Sequence, residues 1–309
     1  MKRIIPLLAL LSWACAAIAD DAEWTRQMQA GQAAFQRGDY RAATAAFEAA
    51  LKEAAIFGSG HPNVAISLSW LAGLYQARGR YSDAEPLYQQ SLAIRENAFG
   101  PEHPEVATSL NNLAGLYIVQ ARYADAEPLF RRSLAISEKV LGPEHPDVAT
   151  SLNGLASTYR LQGRYADAEP LYLRARAIVE KALGPEHANV ATALNNLAGL
   201  YRVQRRYADA EPLYRRSLAI WEKTFGSEHL EVAAALNNLA TLYFSQRQYA
   251  QAEQLLKRAL AIREKTLGPD HPEVATTLKN TAAVYRATGR DKEADTLEQR
   301  ASKIDAIKR

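Results

Sequence analysis

Between residues 104 and 119 the apolar positions Val106, Leu110, Leu113 and Tyr117 recur at i, i+4, i+7 and i+11, which winds them onto one face of a helix. Ala107 and Ala114 flank that stripe and let another helix approach closely. A second helix is predicted from near Tyr123, with Ala126, Leu129, Phe130, Leu134 and Leu141 on its apolar face. Pro104 and Glu105 suit the start of the first helix, where a missing N–H costs nothing and negative charge meets the positive dipole end. Lys139 complements the far end of the second helix. Gly142 is expected to close that helix in a left-handed C′ conformation, and Pro143 prevents its continuation. Pro128 falls about five residues into the second helix, where only the earliest hydrogen bonds are lost, so a mild bend is expected there.

The same pattern returns along the chain. His61, His103, His145, His187, His229 and His271 lie 42 residues apart, and they are all the histidines present. A fixed period between about 20 and 50 residues is the mark of a stacked repeat protein. Six units follow over 58–301 (about 58–100, 101–142, 143–184, 185–226, 227–268 and 269–301). A shorter hairpin over 20–57 is built on Gly31, Ala43, Phe47 and Ala50, and a tail is expected over 302–309. This makes seven helical hairpins. In the last unit Asp291 and Glu298 stand where earlier units carry aromatic residues, giving a polar helix that can face water as a cap.

These residues carry a family resemblance. With Tyr123 and Ala126 at the start of a second helix, Leu113, Ala114 and Tyr117 fall on the Leu, Gly and Tyr positions of the tetratricopeptide motif, and Phe130 falls on its aromatic position. The LGPEHP linker and the runs LNNLAGLY and RYADAEPLY resemble the 42-residue repeats of kinesin light chains over about residues 58–301. The resemblance implies an all-α solenoid, a right-handed superhelix of stacked antiparallel hairpins. It also implies a concave groove lined by Thr108, Asn111, Asn112, Gly115 and Ile118 and their equivalents. It does not extend to the motor: such repeats also occur in exported and cytosolic bacterial proteins.

The first 19 residues change the cellular picture. A basic start (Lys2, Arg3), an apolar run from Ile4 to Leu11 and small residues at Ala17 and Ala19 form the pattern of a signal peptide ending at Ala19. A membrane anchor fits less well, because Pro6 interrupts a stretch shorter than the roughly 20 residues a span requires. Cleavage places the protein in the periplasm or outside the cell and leaves no membrane span. It also removes Cys15, the only cysteine, and with it any disulfide or thiolate chemistry. Without Lys2 and Arg3 the 37 basic residues fall to 35, against 34 acidic, so no bulk charge recruits nucleic acid or anionic membrane.

Little in the chain points to catalysis or to a cofactor. Equivalent histidines in stacked units are separated by at least a helix spacing of roughly 8–10 Å, too far to share a metal, so each is read as a cap on its first helix. No zinc-protease, nucleophile-elbow or phosphate-loop motif is present. Glu85, Glu127, Glu169 and Glu211 are expected to be solvated or paired with arginines. Tyr75, Tyr117, Tyr159, Tyr201, Tyr243 and Tyr285 are assigned to the core.

More informative is an asparagine ladder, with Asn111, Asn153, Asn195 and Asn237 at one position and Asn112, Asn196, Asn238 and Asn280 at the next. Asparagine is a poor helix former, so its repeated use in mid-helix calls for a reason. Its amide can hold the backbone of an extended peptide, or it can staple neighbouring helices; one member of each pair is expected to do each. A further groove position reads Gln76, Ile118, Arg160, Arg202, Phe244 and Arg286, suited to an acidic peptide if the arginines are not simply solvated. Gly115 and Gly199 allow a ligand, or a packed helix, to come close. Trp70, Trp221, Arg160 and Phe244 depart from the repeat consensus and are where specificity is sought, with Trp221 expected on the convex surface. Three functions are compatible with this chain: a groove-binding interaction scaffold, a self-assembling envelope element, and an accessory enzyme. The sequence favours the first and gives the third no support.

Overall fold

Each first helix starts at a histidine that caps it. His103 Nδ1 accepts the backbone N–H of Glu105 at 3.2 Å, and Pro104 takes the first helical position. The other five histidines make the same bond to the residue two ahead. With Nδ1 accepting, the ring proton sits on Nε2. Phe99 and Phe225 stack on His103 and His229 at 4.7 and 4.5 Å between centroids.

The computed structural model describes residues 22–307, so the leader reading on Lys2, Arg3, Cys15 and Ala19 lies outside the described residues. The described residues form helices and no strand, divided into two compact units after Arg164. The first holds α1 (Ala22–Gln36), α2 (Tyr40–Ala55), α3 (Pro62–Ala77), α4 (Tyr81–Phe99), α5 (Pro104–Val119), α6 (Tyr123–Leu141) and α7 (Pro146–Leu161). The second holds α8 (Tyr165–Leu183), α9 (Ala188–Val203), α10 (Tyr207–Phe225), α11 (Leu230–Ser245), α12 (Tyr249–Leu267), α13 (Pro272–Ala287) and α14 (Asp291–Ile307). Within each unit, helices joined by a short turn pack as antiparallel hairpins, and each hairpin packs on the next. No helix among the described residues is long and apolar enough to cross a membrane.

The last helix runs further than the expected boundary at residue 301. Ala301 and Ile304 are buried against Val274 and Leu278, which carries α14 through Ile307 where a tail was expected. Gly142 also differs in detail. Its φ of 89° is positive, but its ψ of 155° is extended, a region open essentially to glycine alone and not the left-handed helical one.

Hairpin turns carry backbone strain at three positions. Gly79, Gly163 and Gly289 occupy the turn with φ of 73°, 78° and 77°, whereas Ala121, Arg205 and Arg247 occupy it with φ of 58°, 62° and 62°. A side chain in the left-handed region costs about 1–2 kcal/mol, and glycine gives back about 0.5–1 kcal/mol in chain entropy. Ala121→Gly is therefore expected to stabilise the first unit by about 0.5–1 kcal/mol, read as a raised denaturation midpoint.

Trp221 corrects the convex-surface expectation, being 3 % exposed. It fills a position where Arg95 and Arg263 are buried at the corresponding place in their own hairpins. Glu231 lies two residues past the His229 cap, and burial followed by the neighbouring Glu273 charge raises its pKa above the usual carboxylate range. Since a raised carboxyl pKa lowers stability once pH exceeds it, Glu231→Gln is expected to raise the thermal midpoint at pH 7. That gain is expected to disappear below the unfolded value of 4.5, which a pH series of melts on both proteins would read.

Candidate interaction face

The first helices bury one stripe (Val106, Leu110, Leu113, Leu116 and Tyr117 on α5) and leave Thr108, Asn111, Asn112, Gly115 and Ile118 half-buried. The expected groove positions are thus the partly exposed ones. Four of the eight ladder amides are committed to each other. Asn238 Nδ2 donates to Asn195 Oδ1 at 2.9 Å, and Asn280 Nδ2 donates to Asn237 Oδ1 at 2.8 Å. Each bond runs diagonally, from the first asparagine of one first helix to the second asparagine of the next. Both members work as staples only in the pair Asn237 and Asn238; in the pairs Asn111 and Asn112, and Asn195 and Asn196, the first member is bonded and the second is not.

In the first unit the diagonal is interrupted, because Gly154 stands where asparagine would supply the donor. Asn111 Nδ2 instead donates to Ser151 Oγ, which shares a bond with Ser133 Oγ, and Ser133 donates to the Ala107 carbonyl. Asn111 Oδ1 is left buried without a partner, as is Asn153 Oδ1. Phe130 explains the glycine: a Cβ on Gly154 would lie 2.1 Å from its ring. In the α3–α4 and α9–α10 hairpins the aromatic is Tyr88 or Tyr214, and its hydroxyl approaches the glycine of its own first helix, Gly73 or Gly199. Phe130 has no hydroxyl, and a Cβ on Gly115 would meet nothing within 4 Å.

Arg286 is already filled, by Asp295 at 2.5 Å, Glu298 at 2.7 Å and Asp291 at 3.5 Å, all from α14. Bonds to Glu298 and Asp295 push its pKa up. Phe244 packs its ring 5.6 Å from Tyr249 while staying half-buried. Trp70 is buried and stacked on Phe47 at 5.5 Å. By contrast Asn112 and Arg160 in the first unit, and Asn196 and Arg202 in the second, are half-buried with no side-chain hydrogen bond or ion pair among the described residues.

The repeated glutamates and tyrosines belong together, a cluster that sequence reading divided between core and surface. Glu127 on α6 accepts from Tyr159 Oη at 3.2 Å, from Arg131 on its own helix and from Arg164 at 3.1 Å. Arg164 lies 3.9 Å over the Tyr159 ring. Burial pulls the Glu127 carboxyl up, but bonds from Arg131, Tyr159 and Gln162 hold it below its ordinary value. Glu85 with Tyr117 and Arg122, Glu169 with Arg206, and Glu253 with Arg290 repeat this staple between neighbouring hairpins. Burial and then bonding to these carboxylates raise the tyrosine pKa values, as at Tyr201. The glutamates are thus structural pairs with arginine, as the sequence led us to expect.

Several known proteins resemble this chain. The family pattern described as Tetratricopeptide repeat matches residues 24–97, 63–138, 105–181, 147–205, 189–265 and 231–306. The solved structure of BtubC (BKLC) from P. vanneervenii is similar at 26 % identity over 75 % of this chain and 91 % of that one, with a TM-score of 0.56. A protein of Podosopora anserina assigned as a kinesin light chain with nearly identical TPR-like repeats is similar at 32 % identity, over 67 % of this chain and 97 % of that one, with a TM-score of 0.53. A Rap protein complexed with Competence and Sporulation Factor shares 16 % identity over 95 % of this chain and 79 % of that one, with a TM-score of 0.71, a likeness of fold alone. No curated protein matches the chain.

Proposed function

As the chain belongs to the tetratricopeptide repeat family, with repeats of the kinesin light chain-like kind, we propose that it is a non-catalytic interaction scaffold that holds an extended segment of a partner protein on its first-helix faces. One observation carries this reading. Most polar groups on those faces are consumed by staples, yet Asn112, Arg160, Asn196 and Arg202 remain half-buried and unbonded. An amide with free donors and acceptor suits a peptide backbone, and a free guanidinium suits a carboxylate, so the segment is acidic. In the second unit Phe244, at the repeat position equivalent to Arg202, supplies an apolar contact. Asn111, Asn153, Asn195, Asn237, Asn238, Asn280 and Arg286 shape the face without being its principal contacts.

The test is a pull-down with residues 20–309 from an extract of the producing cell, repeated with Asn112→Ala, Arg160→Ala, Asn196→Ala and Arg202→Ala combined. Circular dichroism should be unchanged, and the retained partner is expected to bind at least about tenfold more weakly. Undiminished capture would exclude this face. Export through the leader ending at Ala19 belongs to the same proposal and predicts that the mature protein begins at Asp20, which N-terminal sequencing of the cell fractions reads.

Self-assembly has one observation in its favour: Ile56 and Phe57, after α2, are 72 % and 51 % exposed. Exposed apolar surface of this kind suits an interface. A protein that sediments as a monomer at tens of micromolar would leave that reading without support.

A further inference from the structure

The glutamate–tyrosine–arginine staple is incomplete at one place. At the turn between α11 and α12, Gln248 stands where Arg122, Arg164, Arg206 and Arg290 supply the guanidinium, and Gln251 stands where Asp125 and Asp209 pair with it. The rest of the staple is intact. Glu211 Oε1 accepts from Tyr243 Oη at 3.0 Å and from Arg215 Nε at 2.9 Å. Its Oε2 has no partner among the described residues, although the corresponding Oε2 of Glu127 and Glu253 takes Arg164 and Arg290 at 3.1 and 2.9 Å. Gln246 Oε1 is buried and unpartnered, whereas Gln120, Gln162 and Gln204 accept there from the turn arginine.

Arg215 does not fill the gap. It sits 5.9 Å from the Tyr243 centroid, as Arg131 sits 5.8 Å from Tyr159 while Arg164 occupies the nearer position at 3.9 Å. No guanidinium among the described residues takes the nearer position over Tyr243. Glu211 is 30 % exposed, against 20 % for Glu127. A cleft of about 280 Å³ opens alongside, lined by Arg215, Leu218, Tyr243, Gln251, Gln254 and Leu255 among others.

We propose that this notch of Tyr243, Glu211 and Gln246 receives an arginine side chain from a partner protein. The chain's own complete staples show the fit: a planar guanidinium stacks on the tyrosine face while an N–H donates to the free carboxylate oxygen. A lysine ammonium satisfies the charge but lacks the plane that stacks, so arginine is preferred. The notch uses none of the residues assigned to the peptide-binding face, so either proposal can fail without the other.

The test titrates acetyl-arginine amide, with acetyl-lysine amide beside it, into the full chain and follows backbone amide shifts. The expected result is saturable shifts centred on Tyr243, Gln246 and Gln248 with the arginine probe, and at least about tenfold weaker binding of the lysine probe. Gln248→Arg should abolish the shifts by filling the notch from within, and it should raise the thermal midpoint, which also establishes that it folds. Glu211→Gln should weaken binding by about tenfold or more. Absence of shifts, or equal shifts in Gln248→Arg, would overturn the proposal. Self-association abolished by Gln248→Arg would also overturn it, by assigning the notch to a second copy of this chain.

Discussion

Gly154→Asn is expected to destabilise the first unit by at least about 2 kcal/mol, although it restores the residue that most repeats carry at that place. Helix propensity alone predicts the opposite sign, since asparagine is a better helix former than glycine by a few tenths of a kcal/mol. Packing decides the outcome. Phe130 lies against Gly154 so closely that a Cβ would fall 2.1 Å from Cε1 and 2.5 Å from Cδ1, and the ring is buried at 4 % exposure. The double change Phe130→Tyr with Gly154→Asn should recover most of the loss. The hydroxyl can then turn to Gly115, and the new amide can donate to Asn111 Oδ1 as Asn238 donates to Asn195. Urea denaturation of the four proteins in this cycle measures the coupling. A single variant as stable as the parent would remove the steric account.

The second large effect is expected at Arg95. Its guanidinium is buried, donates to Ser69, Ser91 and Ser109, and lies 3.4 Å from Glu105 Oε2. Burial lowers its pKa, and the Glu105 charge opposes that shift. Arg95→Ala removes the packing of a long side chain and leaves Glu105 without its counter-ion, so a loss of about 3–5 kcal/mol is expected. Arg95→Met with Glu105→Gln should lose much less, because both charges go together and the volume is kept. If the alanine variant and the paired variant melted alike, the ion pair would not be the source of the effect.

The fold was legible because period and punctuation are local. A histidine before Pro104, a stripe at Val106 to Tyr117 and glycine at 142 fix the ends of two helices within one unit, and the repetition does the rest. Side-chain partners across hairpins were harder to read. Trp221 looks like an outward residue in the repeat pattern, yet it is buried, as Arg95 and Arg263 are at the equivalent positions. The asparagine bonds join residues 43 apart, one more than the repeat, because neighbouring first helices meet on a diagonal. Arg286 looks like its equivalents, but Glu298 stands on α14 where earlier units carry Tyr172 or Tyr214, and together with Asp295 it takes the guanidinium. The missing staple at Gln248 was visible in the repeat alignment, yet it had no meaning until the complete staples defined what Arg122 and Arg164 do.

The most direct test of the scaffold reading places a photo-crosslinking amino acid at Asn112, at Asn196 and, as a control, at the second-helix position Arg131, and irradiates each protein in the producing cell. The account predicts the same partner protein captured from Asn112 and from Asn196 and none from Arg131. Capture from Arg131 alone would contradict it and move recognition to the second-helix surface.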